Sequence, residues 1–237
     1  TIDYKFILVS GDWDETIPND IFKNFQDFES FIENEKIVHW YCQNMIIKHK
    51  KMTQMPIGMD YHTMTCRTMW GPLTSCENQE KLLSMLKQKS LPWSERKLVC
   101  YCNYHFTMNT KYGKDRKMAY SNVPVELCVF EIKKVPRLKS WNNQINCAFV
   151  ISPHGNGLDC HRTWEALLLG CIPIVRSSKL DSLYDELPVL IVKNWSDVTK
   201  ELLHETIEKF NKMSFNYDKL TLKYWTDKIK SPNEDSV

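Results

Sequence analysis

Short apolar runs alternate along this chain with segments in which apolar residues recur every three or four positions. The runs have the length and composition of buried strands and fall at residues 4–10, 37–41, 98–102, 148–151, 171–175 and 189–192. The helical spacing falls at residues 22–32, 79–87, 141–145, 179–184, 197–210 and 220–229. Residues 59–62 are expected to form a short strand and turn, and residues 113–117 a turn.

Strands that alternate with helices predict parallel sheets with helices on both faces, so the expected fold class is α/β. A chain of 237 residues is long enough for two small Rossmann-like domains. We expect the first domain over residues 1–93 and the second over residues 94–215. A C-terminal helix within residues 216–237 is expected to be able to pack back on the first domain.

The most informative unit runs from residue 147 to residue 175 and has the pattern of a strand, a glycine-containing turn, a helix and a second strand. Asp159 is suited to cap the helix, and Gly170 stands where a helix C′ glycine belongs. Polar residues crowd the turn, where open α/β sheets bind ligands and where a helix N-terminus attracts phosphate. The candidate ligand-binding residues of the turn are His154, Gly155, Asn156 and Gly157, the two glycines being expected to give the backbone freedom.

The helix after this turn carries further candidates. Arg162 is close to the positive end of the helix dipole, where a guanidinium can clamp a diphosphate with two hydrogen bonds. Glu165 follows on nearly the same face, and a simple surface pair with Arg162, worth ~0.2–0.5 kcal/mol, is the structural alternative. His161 is suited either to bind a phosphate or sugar or to support the helix by pairing with Glu165.

Composition narrows the classes of function. A net charge of +2 gives no reason to expect nucleic acid or an anionic membrane surface as a partner. No run of about 18 apolar residues exists, so no membrane-spanning segment is expected. Nine cysteines without a compact disulfide spacing indicate reduced, mostly buried thiols and a cytoplasmic location. Because the sequence begins with Thr1 rather than Met, it is compatible with one domain of a longer polypeptide.

The segment Ser-Pro-His-Gly-Asn-Gly-Leu-Asp-Cys-His-Arg-Thr-Trp-Glu-Ala at residues 152–166, with the strand that follows it, resembles the donor-binding segment of exostosin-like glycosyltransferases. Such chains occur in large DNA viruses and algae. Residues 6–12, 56–62 and 187–192 are similar to the same group, so the resemblance covers most of the chain. It implies a GT-B fold with two Rossmann-like domains facing a cleft, although this chain is short for that fold.

The resemblance also implies an activity. It implies transfer of a sugar from a UDP-sugar to a glycan hydroxyl, with inversion and without an essential metal or other cofactor. Xylose and rhamnose are the sugars expected, and the host cytoplasm is the location expected of a viral enzyme. Glu165 would accept hydrogen bonds from both ribose hydroxyls, and Arg116 would be a second phosphate-contacting residue unless it lies in a solvated turn.

An inverting transfer needs a general base, which this architecture supplies from first-domain loops that face the cleft. Asp12 is our first candidate because it follows an apolar strand and Gly11, Asp60 is the second, and His62 is the third. Asp12 and Asp14 also form an Asp-x-Asp pair, which binds a divalent metal in the GT-A architecture.

Other classes of function stay open. A zinc site at Cys160 and His161 lacks the spacing of recognised sites. A dehydrogenase or methyltransferase is disfavoured because the Gly-x-Gly-x-x-Gly fingerprint is absent. The remaining alternative is a non-catalytic nucleotide-sugar-binding or glycan-binding domain.

Overall fold

The computed structural model describes residues 2–11, 13–104, 109–131 and 133–232. Within these residues the strands form two sheets, and every strand pair is parallel. The expected α/β fold class is confirmed, with two parallel sheets of three and five strands whose residues line a common cleft.

The smaller sheet is built from the first part of the chain. Its strands are β1 (Phe6–Ser10), β2 (Ile37–Cys42) and β3 (Met52–Gln54), in that spatial order. Helix α1 (Phe25–Ile32) connects β1 to β2 and buries Phe28 and Ile32 in a core that includes Trp40. The predicted helix is present, but only Phe28 and Ile32 of the pattern are buried, whereas Phe25 and Phe31 are exposed.

The larger sheet follows and has the spatial order β5-β4-β6-β7-β8. Its strands are β4 (Lys97–Cys102), β5 (Cys128–Phe130), β6 (Cys147–Ile151), β7 (Ile172–Arg176) and β8 (Leu190–Val192). The chain adds β5 on one side of β4 and β6 on the other. The order of the strands therefore reverses between β4 and β6, which is where open α/β sheets form a ligand-binding crevice.

Helices cover the larger sheet. Those after α1 in the described residues are α2 (Tyr61–Cys66), α3 (Cys76–Lys89), α4 (Lys114–Asn122), α5 (Arg137–Gln144), α6 (His161–Leu168), α7 (Lys200–Phe210) and α8 (Leu222–Lys230). On β6, Phe149 and Ile151 belong to the same apolar cluster as Leu203 of α7, whereas Val150 packs with Trp141 of α5. Burial on both faces explains why β6 reads as one continuous apolar run.

Three local expectations were wrong. Residues 59–62 form the start of helix α2 rather than a strand and turn, because the Asp60 side chain caps the helix by accepting the Thr63 N–H at 3.0 Å. Residues 113–117 begin helix α4 rather than a turn, because Asp115 is buried and hydrogen-bonded there. The helix expected at 179–184 is a short 3-10 helix, Asp181–Tyr184.

The two halves are joined by hydrogen bonds that span long distances in sequence. The Tyr41 hydroxyl in β2 donates to the Lys228 carbonyl in α8 at 2.7 Å, so the C-terminal helix contacts the smaller sheet. The Gln54 amide at the end of β3 donates to the Lys179 carbonyl at 2.8 Å. In the described ranges no helix combines the length and apolar character needed to cross a bilayer.

All nine cysteines fall within the described residues and are free thiols. Burial raises the pKa of Cys42 to about 12 and the pKa values of Cys147 and Cys171 to about 11. Cys66 and Cys76 are exposed. The expectation of reduced, mostly buried thiols on strands agrees with this placement.

Candidate functional site

Strands from both sheets end at one cleft, whose volume is about 590 Å³. On the wall formed by the smaller sheet, Asp14 follows β1 and Ile57 follows β3. On the opposite wall, Asn103 follows β4, Glu131 follows β5 and Gly155 follows β6. The cleft therefore lies outside the carboxyl ends of the strands, the usual ligand position in this class of fold.

Most of the residues that the sequence analysis singled out meet in this cleft. Its lining includes Asp60, Arg116, Gly155, Asn156, His161, Arg162 and Glu165. By contrast, His62, His154 and Gly157 are not part of the lining. Asp12, the first candidate for the general base, lies outside the described residues.

Arg116 and Arg162 bring their guanidinium groups to the same cleft. Arg162 is the second residue of α6, donates to the Pro153 carbonyl at 3.1 Å and lies 5.7 Å from the centre of the Tyr104 ring. Arg116 belongs to α4 and is buried. Burial, with the nearby charge of Arg162, lowers the pKa of Arg116. Guanidinium groups beside a helix N-terminus form an electrostatic environment suited to a phosphate or diphosphate.

The glycines of the turn serve close approach rather than backbone freedom. Neither Gly155 nor Gly157 has a positive φ. A Cβ atom on Gly155 would lie 2.8 Å from the Arg116 Nη2 atom, so glycine leaves room for that guanidinium. A Cβ atom on Gly157 would lie 2.8 Å from the Asp14 carbonyl oxygen, so glycine lets the turn abut the loop after β1.

His154 and Asn156 have different environments within the turn. His154 is buried, and its backbone N–H donates to Asp115 at 2.9 Å. The His154 Nδ1 atom lies 2.8 Å from the Leu158 carbonyl, to which it can only donate. Burial lowers the pKa of His154. His154 therefore stabilises the turn as a neutral ring, whereas Asn156 is exposed and lines the cleft.

Asp159 does not occupy the cap position of α6, which belongs to Cys160. The Asp159 carboxylate accepts hydrogen bonds from the Cys160 N–H at 2.8 Å, the Ile57 N–H at 2.7 Å and the Trp164 Nε1–H at 2.9 Å. Burial outweighs these donors and raises the pKa of Asp159 to about 6. Because Ile57 belongs to the first half of the chain, this carboxyl group joins the two walls of the cleft.

Asn44 forms a second junction that the sequence analysis did not identify. It is buried and has a φ of 52°, a left-handed conformation that asparagine tolerates better than most residues. Its side-chain oxygen accepts the Asp159 N–H at 2.9 Å, and its Nδ2 donates to the Trp13 carbonyl at 3.1 Å. The residue lies just after β2, but no sequence signal specified these partners.

Arg137 is the second functional residue that the sequence analysis missed. Its guanidinium donates to the Asp60 carboxylate at 2.8 Å and to the Asp60 carbonyl at 2.7 Å. The Nε atom of Arg137 lies 3.6 Å from the Glu165 carboxylate, and the guanidinium lies 5.7 Å from the Trp70 ring centre. Arg137 thus orients Glu165 and links it to Asp60 across the cleft, replacing the Arg162–Glu165 surface pair considered from the sequence.

The environment of Asp60 favours its charged form. Burial alone would raise its pKa, but hydrogen bonds from Arg137 and Thr63 and the charge of Arg137 hold the pKa below its usual value. The His62 Nδ1 atom lies 3.1 Å from the Asp60 carboxylate, and the His62 side chain is 61% exposed. Asp60 is thus engaged as a helix cap and ion-pair partner.

His161 contacts the opposite half of the chain rather than Glu165. Its Nδ1 atom lies 2.9 Å from the Gly58 carbonyl, to which it donates. This bond fixes the tautomer and leaves Nε2 without a proton in the neutral ring.

In residues 2–11, 13–104, 109–131 and 133–232, no group of three or more His, Cys, Asp or Glu side chains is arranged to hold a metal ion. The absence of an essential metal remains a prediction, since Asp12 is not among these residues.

No protein-family model matches this chain, and no curated protein matches it in sequence. Among solved structures, the chain is similar to one described as the crystal structure of α1,3-fucosyltransferase with GDP-fucose. The TM-score is 0.47, the sequences are 12% identical, and the match covers 98% of this chain and 76% of that chain.

Proposed function

We propose that this protein is a glycosyltransferase of the GT-B type that moves a sugar from a nucleoside diphosphate sugar to a hydroxyl group of a glycan. The observation that carries the proposal is the convergence of Arg116, Arg162 and the N-terminus of α6 in one cleft between two parallel sheets. A diphosphate carries the charge and the oxygen acceptors that this arrangement suits.

The donor would lie with its diphosphate against both arginines and its ribose near Glu165. Glu165 is buried and is held beside Arg137, so its carboxylate is pre-oriented to accept hydrogen bonds from the ribose hydroxyls. The resemblance to exostosin-like transferases favours uridine as the nucleoside and xylose or rhamnose as the sugar. It also motivates our proposals of a viral or algal source and a cytoplasmic location.

The proposed reaction is an inverting displacement. The acceptor oxygen forms a bond to the anomeric carbon while the bond from that carbon to the diphosphate oxygen breaks, and the diphosphate takes the electron pair. Arg116, Arg162 and the helix dipole would stabilise the negative charge that develops on the leaving group. In this mechanism the arginines supply the charge that a divalent metal supplies in other transferases.

Calorimetry with UDP and with GDP tests nucleotide binding by the intact chain. We expect low-to-mid micromolar affinity for one of them, about −7 kcal/mol. Arg162→Ala should weaken binding at least tenfold, whereas Arg67→Ala is a matched control because Arg67 is an exposed arginine at the end of α2. Absence of binding by the folded wild type, or the same loss in both variants, would contradict the proposal.

Turnover of the donor separates an enzyme from a binding domain. A panel of UDP-sugars and GDP-sugars, including UDP-xylose and UDP-rhamnose, is incubated with the protein, with and without glycoside acceptors. Nucleotide release is the expected result. Tight nucleotide binding without release from any donor would favour the non-catalytic alternative.

A further inference from the structure

The cleft is lined by several carboxylates, and most of them are already engaged. Glu131 accepts from the Tyr101 hydroxyl at 2.5 Å and from the Asn143 amide at 2.7 Å. Asp159 is fully buried among backbone and indole N–H groups. Asp60 and Glu165 are held by Arg137. A carboxylate in such contacts is poorly placed to take a proton from a substrate, because its lone pairs already accept hydrogen bonds or face a guanidinium.

Asp14 differs from these residues. Its side chain is exposed and lines the cleft, and no hydrogen bond or ion pair to its carboxylate occurs in the part of the chain that the structure describes. It belongs to the wall formed by the smaller sheet, and its negative charge acts across the cleft on Arg116, where it opposes the lowering of the Arg116 pKa by burial and Arg162. Its carbonyl abuts Gly157, so the backbone of Asp14 is fixed against the turn that precedes α6.

The backbone just before Asp14 is held by hydrogen bonds. Trp13 is 66% exposed, although its backbone carbonyl is held by the Gln43 amide at 3.0 Å and the Asn44 amide at 3.1 Å. Both amides belong to buried residues. The position of Asp14 at the cleft is therefore fixed by these hydrogen bonds and by the contact of its own carbonyl with Gly157.

We propose that Asp14 is the general base of the transfer, at the acceptor side of the cleft. This inference rests on the proposed function, since it assigns the acceptor side of the same reaction. The acceptor O–H proton passes to the Asp14 carboxylate as the acceptor oxygen attacks the anomeric carbon. The diphosphate leaves with the electron pair, and Asp14 later releases the proton to solvent.

The test measures nucleotide release and sugar transfer with p-nitrophenyl glycosides as acceptors. Asp14→Asn should lower turnover about 10²–10⁴-fold, the usual contribution of a general base, and leave nucleotide affinity within twofold. Asp14→Glu keeps the carboxylate, so its turnover should reach at least a tenth of the wild-type turnover. Unchanged nucleotide affinity also shows that both variants are folded.

Two outcomes would overturn the assignment of Asp14. Near-normal turnover in Asp14→Asn, with a large loss in Asp12→Asn, would transfer the base role to Asp12. Complete loss of activity with EDTA, restored by manganese, would instead favour Asp12 and Asp14 as metal ligands. If the wild type binds no nucleotide, the proposed function itself is wrong. If the wild type transfers sugar and Asp14→Asn does so at the same rate, only the assignment of Asp14 is wrong.

Discussion

Asn44 and Asp159 are joined across the two halves of the chain by a hydrogen bond of 2.9 Å from the Asp159 N–H to the Asn44 side-chain oxygen. Both residues are almost fully buried. The same Asn44 side chain donates to the Trp13 carbonyl, so one amide ties the loop after β1 to the turn after β6. The geometry of the cleft therefore depends on a residue that does not line it.

Replacing Asn44 should test this junction. Asn44→Ala removes both hydrogen bonds. It also places alanine in a left-handed conformation that alanine adopts less readily than asparagine. The variant should therefore have a free energy of unfolding lower by about 2–4 kcal/mol. Asn44→Gly removes the same hydrogen bonds but accepts the backbone, and should cost about 1–2 kcal/mol less. Urea unfolding measures both. Equal stability of the alanine and glycine variants would argue against strain at this position.

The raised pKa of Asp159 predicts a pH-dependent stability. The folded state holds the proton up to about pH 6, whereas an ordinary aspartate releases it near 3.8. This group therefore contributes stability that is fully present below about pH 3.8 and is lost as the pH rises through about 6. The contribution is on the order of 2–3 kcal/mol. Urea unfolding from pH 4.5 to 7.5 should show it.

Asp159→Asn is the control for that measurement. It removes the ionisation, so the difference in stability between wild type and variant should change with pH over the same window. His154 has a lowered pKa and contributes in the opposite direction, with stability lost at low pH, but it is present in both proteins. If the difference in free energy of unfolding between wild type and Asp159→Asn stays constant from pH 4.5 to 7.5, Asp159 does not change its charge in this range and the raised pKa is wrong.

Gly155 and Gly157 should respond differently to alanine. In Gly155→Ala the new methyl group meets the end of the Arg116 side chain, which can move, so the protein should fold and lose at least tenfold in nucleotide affinity. In Gly157→Ala the methyl group meets the Asp14 backbone, which cannot move alone, so the free energy of unfolding should fall by about 1–3 kcal/mol. Calorimetry and urea unfolding of both variants check the contrast. The reverse pattern would contradict the position of Arg116.

Glu165 should determine recognition of the ribose. Glu165→Ala is expected to weaken UDP binding by about 1.5–3 kcal/mol, the size of hydrogen bonds to a charged group. The wild type should prefer UDP to 2′-deoxy-UDP, and the variant should lose that preference. Calorimetry with both nucleotides measures the two effects. Unchanged UDP affinity in a folded variant would remove the ribose assignment.

The segment from β6 to β7 was predictable from the sequence because its signals are local. The 29 consecutive residues 147–175 contain the patterns of an apolar strand, a polar turn with glycines and an amphipathic helix. The sequence also indicated that the two glycines of the turn are important, but it did not indicate why. Gly155 and Gly157 leave space for Arg116 and Asp14, and a single sequence does not contain the position of such distant neighbours.

Arg137 and Asn44 could not be predicted for the same reason. Arg137 meets Asp60 across 77 positions of sequence, and Asn44 meets Asp159 across 115. Helix α2 was missed for a different reason, since a helix of six residues carries too little periodicity to be distinguished from a strand and turn. Only its capping residue, Asp60, marks its start.

Because the thiols are distributed over both sheets, their modification can be used to follow local opening of the structure. A thiol reacts as the thiolate, so an alkylating reagent should modify exposed Cys66 and Cys76 in the native state. Cys42 lies in the smaller sheet, whereas Cys147 and Cys171 lie on and beside strands of the larger sheet, and all three are buried. The order in which these three become modified would reveal which sheet separates from its helices first, without any added label.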